Sequence, residues 1–353
     1  MSVIGWAGSL GALFVCGLGL SAFAAPDFWL ADNMSFFLRQ FMAAGLAGCI
    51  GGAIGFLTSH RFRWLYNLVW VSAVIMLLSL TSLTVVRTFD NTADLTEHID
   101  TDRSLKVVSI NIEYLFLGDQ VLQDYLIEAD ADVIVFQETL WWLQIRHWKH
   151  RGEPVGGAGL GGFPEHLHVG KLGSLVVYSK LPILDAVSET IDGTRPDGAS
   201  VYYDENREIL SLKLDTGSEP LNLVAIHPDS PRNERRWENK RSYFDSVDTL
   251  IADLRQEANG PILAIGDWNS APWSARFHTT LAQNNLRTAY AGGWPQTTRF
   301  FFDYRLHWIL GAPVDQFAVS HDIEVKNVSL GPHIGSDHLP LEVELQLPKK
   351  ISK

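Results

Sequence analysis

Three apolar runs crowd the first ninety residues and constrain this chain more than anything that follows. Val3–Ala25, Phe36–Leu57 and Trp64–Val86 are each long enough to cross a bilayer and carry almost no formal charge, Arg39 near the start of the second being the exception. Glycine and other small residues are frequent in the first two, as expected where membrane helices approach closely. Residues 1–87 are therefore predicted to form a membrane anchor of three transmembrane helices. The link Ser59-His60-Arg61-Phe62-Arg63 is basic, whereas the first link carries Asp27 and Asp32. The positive-inside rule then places the basic link in the cytoplasm. Everything after Arg87 falls outside the inner (plasma) membrane, making a multi-pass protein with an extracytoplasmic domain. Ala22-Phe23-Ala24 has the small-residue spacing of a signal-cleavage site, but no basic segment precedes the run, which favours an uncleaved anchor.

Residues 88–101 are polar and acidic, without Lys or Arg, and read as a linker. Residues 102–353 are enough for one large domain. Over 101–353 there are 24 Lys/Arg against 34 Asp/Glu, so this part repels polyanions at long range, which weighs against a nucleic-acid partner. The cysteines, Cys16 and Cys49, both lie in the apolar runs. The large domain thus has no thiol for a disulfide, a metal-thiolate site or nucleophilic catalysis.

Polar residues in this domain recur at the ends of strand-like runs. Pro261–Ile265 reads as a buried strand, Gly266 as its turn, and Asp267 with Asn269 as an i, i+2 pair presented together beyond it. Leu105–Ile110 leads into Asn111-Ile112-Glu113, and Asp132–Gln137 ends in Glu138. A charged side chain finishing so apolar a run needs a partner, and a divalent cation is a natural one. Leu221–Ile226 ends at His227-Pro228-Asp229, and Gly335-Ser336-Asp337-His338 precedes a terminal strand at Leu339–Leu347. Further strands are expected over Gly173–Ser179, Glu208–Leu214 and Arg305–Leu310. Helices are expected over Gln120–Ala129, within Ser230–Asn259, and from Ser274 to about Gln283. The Arg-rich first turns of the second helix read as a solvated face. Arg151–Gly173 is a glycine-rich loop lacking the Lys-Ser/Thr ending of a phosphate-binding loop, and its His166 and His168 read as surface residues. These elements together predict a two-sheet α/β sandwich.

The ordered set Asn111, Glu138, His227, Asp267 with Asn269, and Asp337 with His338 resembles the endonuclease/exonuclease/phosphatase superfamily, which includes DNase I, exonuclease III-like repair nucleases, sphingomyelinases and inositol-polyphosphate 5-phosphatases. The likeness covers about Leu105–Leu347 and is carried most by Ile265-Gly266-Asp267-Trp268-Asn269 and Ser336-Asp337-His338. It implies a DNase I-like sandwich and a Mg²⁺-dependent hydrolase of phosphoester or pyrophosphate bonds, with Mn²⁺ able to replace Mg²⁺. It further implies Glu138, Asn111 and Asp337 at the metal, Asp267 activating water, and Asn269, His227 and His338 on the phosphate. Arg207 would be a phosphate contact. Tethering favours a lipid-linked phosphate or phospholipid, with extracytoplasmic nucleic acid second. In the family an Asp following an Arg-Leu/Ile pair orients a catalytic histidine; the run Arg305-Leu306-His307-Trp308-Ile309-Leu310 puts His307 in its place. From that substitution follows the further expectation of a catalytically weak pseudoenzyme that binds without turnover, unless Asp303 substitutes.

Overall fold

Runs of four to six β-branched and aliphatic residues, separated by Gly, Pro and Asp, fold here into paired strands rather than helices. A computed structural model describes residues 2–58, 63–96, 104–113, 115, 119–139, 166–192, 207–257 and 260–348. The basic link at 59–62, most of the glycine-rich loop and the second half of the acidic linker lie outside the described residues. The chain divides into two compact units, residues 1–90 with 271–278, and residues 91–270 with 279–353.

In the first unit, α1 (Ser2–Ala24), a short α2 (Trp29–Asn33) leading through one 3₁₀ turn into α3 (Leu38–Thr58), and α4 (Arg63–Phe89) account for the three apolar runs. The segments Val3–Ala24, Trp29–Gly55 and Arg63–Phe89 are long and apolar enough to cross a membrane. A Cβ added at Gly8 would lie 2.8 Å from the Gly48 carbonyl oxygen, so α1 and α3 touch backbone to backbone there, which only small residues allow. Within the same unit Trp273 Nε1 donates to Thr88 Oγ1 at 2.8 Å.

Among the described residues the second unit holds two six-stranded sheets. The strands are β1 (Ser104–Asn111), β2 (Val133–Gln137), β3 (Leu167–Val169), β4 (Val176–Ser179), β5 (Ile183–Ile191), β6 (Arg207–Leu214), β7 (Leu221–Ile226), β8 (Ile262–Asp267), β9 (Leu286–Arg287), β10 (Arg299–Phe300), β11 (Gly311–Ala312), β12 (Asp315–Ser320), β13 (Glu324–Leu330) and β14 (Leu341–Gln346). One sheet runs β13-β14-β1-β2-β4-β3 and the other β5-β6-β7-β8-β12-β9, with β10 and β11 as a separate two-stranded ladder. Val107, Val133, Val135 and Val343 of the first sheet share one buried cluster with Leu212, Leu223, Leu263, Ile265 and Phe317 of the second. On the first sheet's other face, α5 (Gln120–Ala129) buries Leu122, Tyr125 and Leu126 against Val108, Ile110, Ile134 and Phe136. The predicted two-sheet α/β sandwich is therefore the fold.

Sequence also placed α6 (Glu234–Glu257) and α7 (Ala275–Gln283), and Ser274 Oγ accepts from Phe277 N as a cap should. Strands β3, in the segment read as a glycine-rich loop, and β5 and β9 to β13 were not anticipated. Arg305–Leu310 is not a strand: residues 304–306 form a 3₁₀ turn capped by Asp303, whose side chain accepts from Arg305 N. The chain turns back here between β10 and β11, and among the described residues no strand pairs with these.

Candidate active site

The parallel pairs β1–β2 and β7–β8 bring four strand ends together, and the polar residues that stop each apolar run meet there. Gly266 makes the approach possible. Its φ is 152°, and a Cβ at this position would sit 2.0 Å from the Ile226 carbonyl oxygen on the neighbouring strand.

Asn111, at the end of β1, is buried and joins two carboxylates. Its Nδ2 donates to Glu138 Oε1 and to Asp267 Oδ2, both at 3.1 Å, while its Oδ1 accepts from Glu113 N. Asp267 is buried and also accepts from Asn269 N at 2.8 Å and Asn269 Nδ2 at 3.2 Å. Asn269 Nδ2 reaches the Pro228 carbonyl as well, and buried Lys240 donates to the Asn269 carbonyl. Among the described residues four non-glycine positions have positive φ: Asp130 and Asn285 follow helix ends, whereas Glu138 (60°) and Asn269 (45°) stand in this site. Strain of that kind, about 1 kcal/mol or more each, persists where surrounding contacts dictate the conformation.

His227 and His338 approach the carboxylates from two directions. His227 Nε2 lies 3.5 Å from Glu138 Oε1 and 3.9 Å from Asp267 Oδ2, and its backbone N–H donates to the Tyr243 hydroxyl. His338 Nε2 lies 3.8 Å from both Asp267 Oδ2 and Asp337 Oδ1. Its Nδ1 is 2.9 and 3.1 Å from the two Asp315 oxygens. Asp315 opens β12 directly opposite Asp267 in the antiparallel register. Asp337 Oδ2 accepts from Arg299 Nε at 3.1 Å, and Arg299 also faces Glu113 at 3.8 Å.

These contacts correct the expectation about His307. Its ring stacks on Tyr304 with centroids 4.8 Å apart, and its Nδ1 meets the Tyr304 carbonyl oxygen. Asp303 does not substitute, being engaged with Arg305. The carboxylate on His338 is Asp315, further along the chain than the expected place, so the ground for expecting a weak pseudoenzyme disappears. Arg207 sits at the start of β6 with its guanidinium on Asp229, which also accepts from Asn239 Nδ2. Asp315 and Arg299 are residues of this cluster that the sequence did not single out, and Lys240, in the basic helix turns read as a solvated face, is instead buried on the Asn269 carbonyl. Asp315 left no signal because it begins a strand, where Asn111, Glu138, His227 and Asp267 end or follow one.

Electrostatics divides the acids. Burial alone would raise the Glu138 carboxyl, but the hydrogen bond and charge of His227, the Asn111 amide and the charge of His338 bring it down to about 2. For Asp267, burial prevails over the attraction of His338, and its carboxyl is raised. Burial would depress His338, yet Asp315, Asp267 and Asp337 together lift it to about 9, so the ring is an imidazolium at neutral pH.

Glu138, Asp267, Asp315 and Asp337 supply hard oxygen donors in excess of the charge of His338 and Arg299, which suits a hard divalent cation. Asp337 Oδ1 makes no hydrogen bond among the described residues, and the Glu138 side chain is one third exposed. Asp267, Asp315 and His338 also present ligand-type atoms within 4.8 Å of one another. The donor set fits such an ion.

Comparison with known proteins agrees with this geometry. The sequence profile of the Endonuclease/Exonuclease/phosphatase family matches residues 108–338. Among solved structures, SmcL is similar with a TM-score of 0.51 and 16% identity over 69% of this chain and 99% of its own. An endonuclease/exonuclease/phosphatase family protein from Leptotrichia buccalis C-1013-b gives 0.51 and 16% over 69% of this chain and 100% of its own. A functionally unknown conserved protein from Enterococcus faecalis V583 gives 0.50 and 15% over 68% and 99%. At such identities the likeness shows the fold alone. No curated protein matches the chain. The family profile spans well over half the sequence and includes the residues gathered at the strand ends, so the chain belongs to the Endonuclease/Exonuclease/phosphatase family and is a metal-dependent phosphoester hydrolase.

Proposed function

We propose that this protein hydrolyses a phosphoester or pyrophosphate bond in a lipid-linked or phospholipid substrate, by in-line attack of water, outside the inner membrane. The observation that carries the reading is a cluster of Asn111, Glu138, His227, Asp267 and His338 at the strand ends of an Endonuclease/Exonuclease/phosphatase family domain, in a chain that also holds three helices able to cross a bilayer. Tethering through residues 1–87, with a linker over 88–101, confines the reach of a domain at 102–353 to the bilayer neighbourhood. The basic link containing Arg61 and Arg63 supports an extracytoplasmic side for that domain. Its acidic balance disfavours nucleic acid.

Glu138, Asn111 and Asp337 are the residues that would hold Mg²⁺, or Mn²⁺ in its place, whose charge would offset that on the phosphoryl oxygens. Asp267 orients the attacking water and accepts its proton; its raised carboxyl improves it for that task. Asn269 would donate to a non-bridging oxygen by releasing one of its two present acceptors, the Pro228 carbonyl or Asp267. His338, charged and held by Asp315, stabilises the negative charge that develops on the phosphoryl group. His227 faces the same carboxylates and serves the phosphate or the leaving oxygen, and Arg207 lies beside its segment.

The test is the full chain in detergent or nanodiscs, assayed with Mg²⁺ and with EDTA against polyprenyl pyrophosphate, phospholipid, inositol phosphate and DNA. Hydrolysis of a membrane lipid that EDTA abolishes, and that Asp267→Ala and His338→Ala each remove, is the expected result. Nicking of plasmid DNA with no lipid turnover would overturn the substrate, and activity surviving in both variants would overturn the site.

A further inference from the structure

Ten large hydrophobic side chains from residue 91 onward are exposed among the described residues, and five fall between 301 and 309: Phe301, Phe302, Leu306, Trp308 and Ile309. Phe302 is 85% and Trp308 66% exposed. Such clustering on one short connection is not the scatter expected of an ordinary surface.

The connection is built rather than loose. Its ends pair as β10 and β11, and Phe301 N donates to the Leu310 carbonyl at 2.9 Å. Asp303 caps the turn, and Tyr304 stacks between His307 at 4.8 Å and His333 at 4.6 Å. Its root is the catalytic rim itself. Arg299 bridges to His338 as an isolated β-pair, Phe300 N donates to the Asp337 carbonyl, and the Arg299 guanidinium holds Asp337. Apolar side chains thus begin two residues from a group that contacts the site.

We propose that the 301–309 tip inserts into the interfacial region of a phospholipid bilayer, so that the rim carrying Asp337 and His338 is applied to a lipid whose phosphate lies at the membrane surface. The purpose rests on the lipid-directed function proposed above; the insertion does not. Trp and Phe with one exposed Arg, Arg305, is the composition of segments that settle between headgroups and acyl chains. The occupant is a bilayer because the same chain carries three helices able to span one. A second copy is disfavoured, since five residues fall short of the roughly 20–30 a side of a stable protein interface.

The experiment uses the full chain with Cys16→Ala and Cys49→Ala, a polarity-sensitive dye on Phe302→Cys, and vesicles of phosphatidylcholine and phosphatidylglycerol. Blue-shifted emission, quenched by lipid-borne doxyl groups but not by iodide, at high lipid-to-protein ratio, is expected. Emission open to iodide overturns the proposal, as does shielding that appears only at high protein density, which would mark self-association. In parallel, Phe302→Ser with Trp308→Ser should lower kcat/KM on a vesicle-embedded phosphoester about tenfold while leaving turnover of soluble bis-p-nitrophenyl phosphate and the Tm unchanged. Equal losses on both substrates overturn it. Doxyl quenching in a protein that cleaves no lipid would sink the substrate assignment and leave insertion standing, and lipid cleavage with an iodide-accessible dye would do the reverse.

Discussion

The two histidine corners of the site are held by different devices. His338 is clamped through its side chain, with both Asp315 oxygens on Nδ1 and further carboxylates at Nε2. His227 is positioned through its backbone: its N–H donates to the Tyr243 hydroxyl, which donates in turn to the Glu208 carbonyl, and its Nδ1 finds no hydrogen bond among the described residues. A carboxylate on the ring sets both orientation and charge, whereas a hydroxyl on the backbone sets position alone. Both rings face carboxylates, but Asp315 grips His338 at 2.9 and 3.1 Å, whereas Glu138 stands 3.5 Å from His227.

The sharpest way to break that contrast is Asp315→Asn, which keeps the shape and removes the charge; kcat should fall about 10²–10⁴-fold with little change in Tm. The His307→Ala variant, measured beside it, should retain activity within about threefold, since its contacts are with Tyr304. Next in size is Tyr243→Phe. It strands a buried N–H and a buried carbonyl, and should cost about 1–3 kcal/mol by denaturant unfolding, with a smaller kcat loss than Asp315→Asn. Should Tyr243→Phe cost more activity than Asp315→Asn, the assignment of the two corners is reversed.

Smaller, and specific to His338, is a pH dependence of stability in EDTA. Its folded pKa is raised to about 9 from 6.5, so its contribution is complete below pH 6.5 and is lost as pH rises through about 9. The Tm of the wild type should decline over that window more than that of His338→Asn, and parallel declines would remove His338 as the cause. Smallest in breadth is Gly266→Ala, whose new Cβ meets the Ile226 carbonyl. It should destabilise by about 2 kcal/mol or more, read as a lower denaturant midpoint.

Most of this site was legible because its groups punctuate apolar runs. Asn111, Glu138, His227 and Asp267 each follow four to six buried residues, and a carboxylate or imidazole placed there has to be turned toward a common rim. Helix α5 was readable to the residue from its 3.6-fold spacing. Asp315 was hidden because its importance comes from lying across from Asp267, and antiparallel register between distant segments leaves no local trace. The misplaced strand at Arg305–Leu310 has a related cause. Leu306, Trp308 and Ile309 look like buried-strand residues until burial itself is known, and the fold leaves them outside. Strand β5, with half-buried and exposed positions intermixed, offered no clean alternation to read.

Asp267 and Asp315 occupy facing rungs of one ladder, although 47 intervening residues separate them in sequence. Their spacing is therefore set by sheet geometry and is indifferent to the length or content of the excursion between them. That excursion includes the 301–309 tip, so such a scaffold can exchange one appendage for another while the distance between these two carboxylates stays as it was.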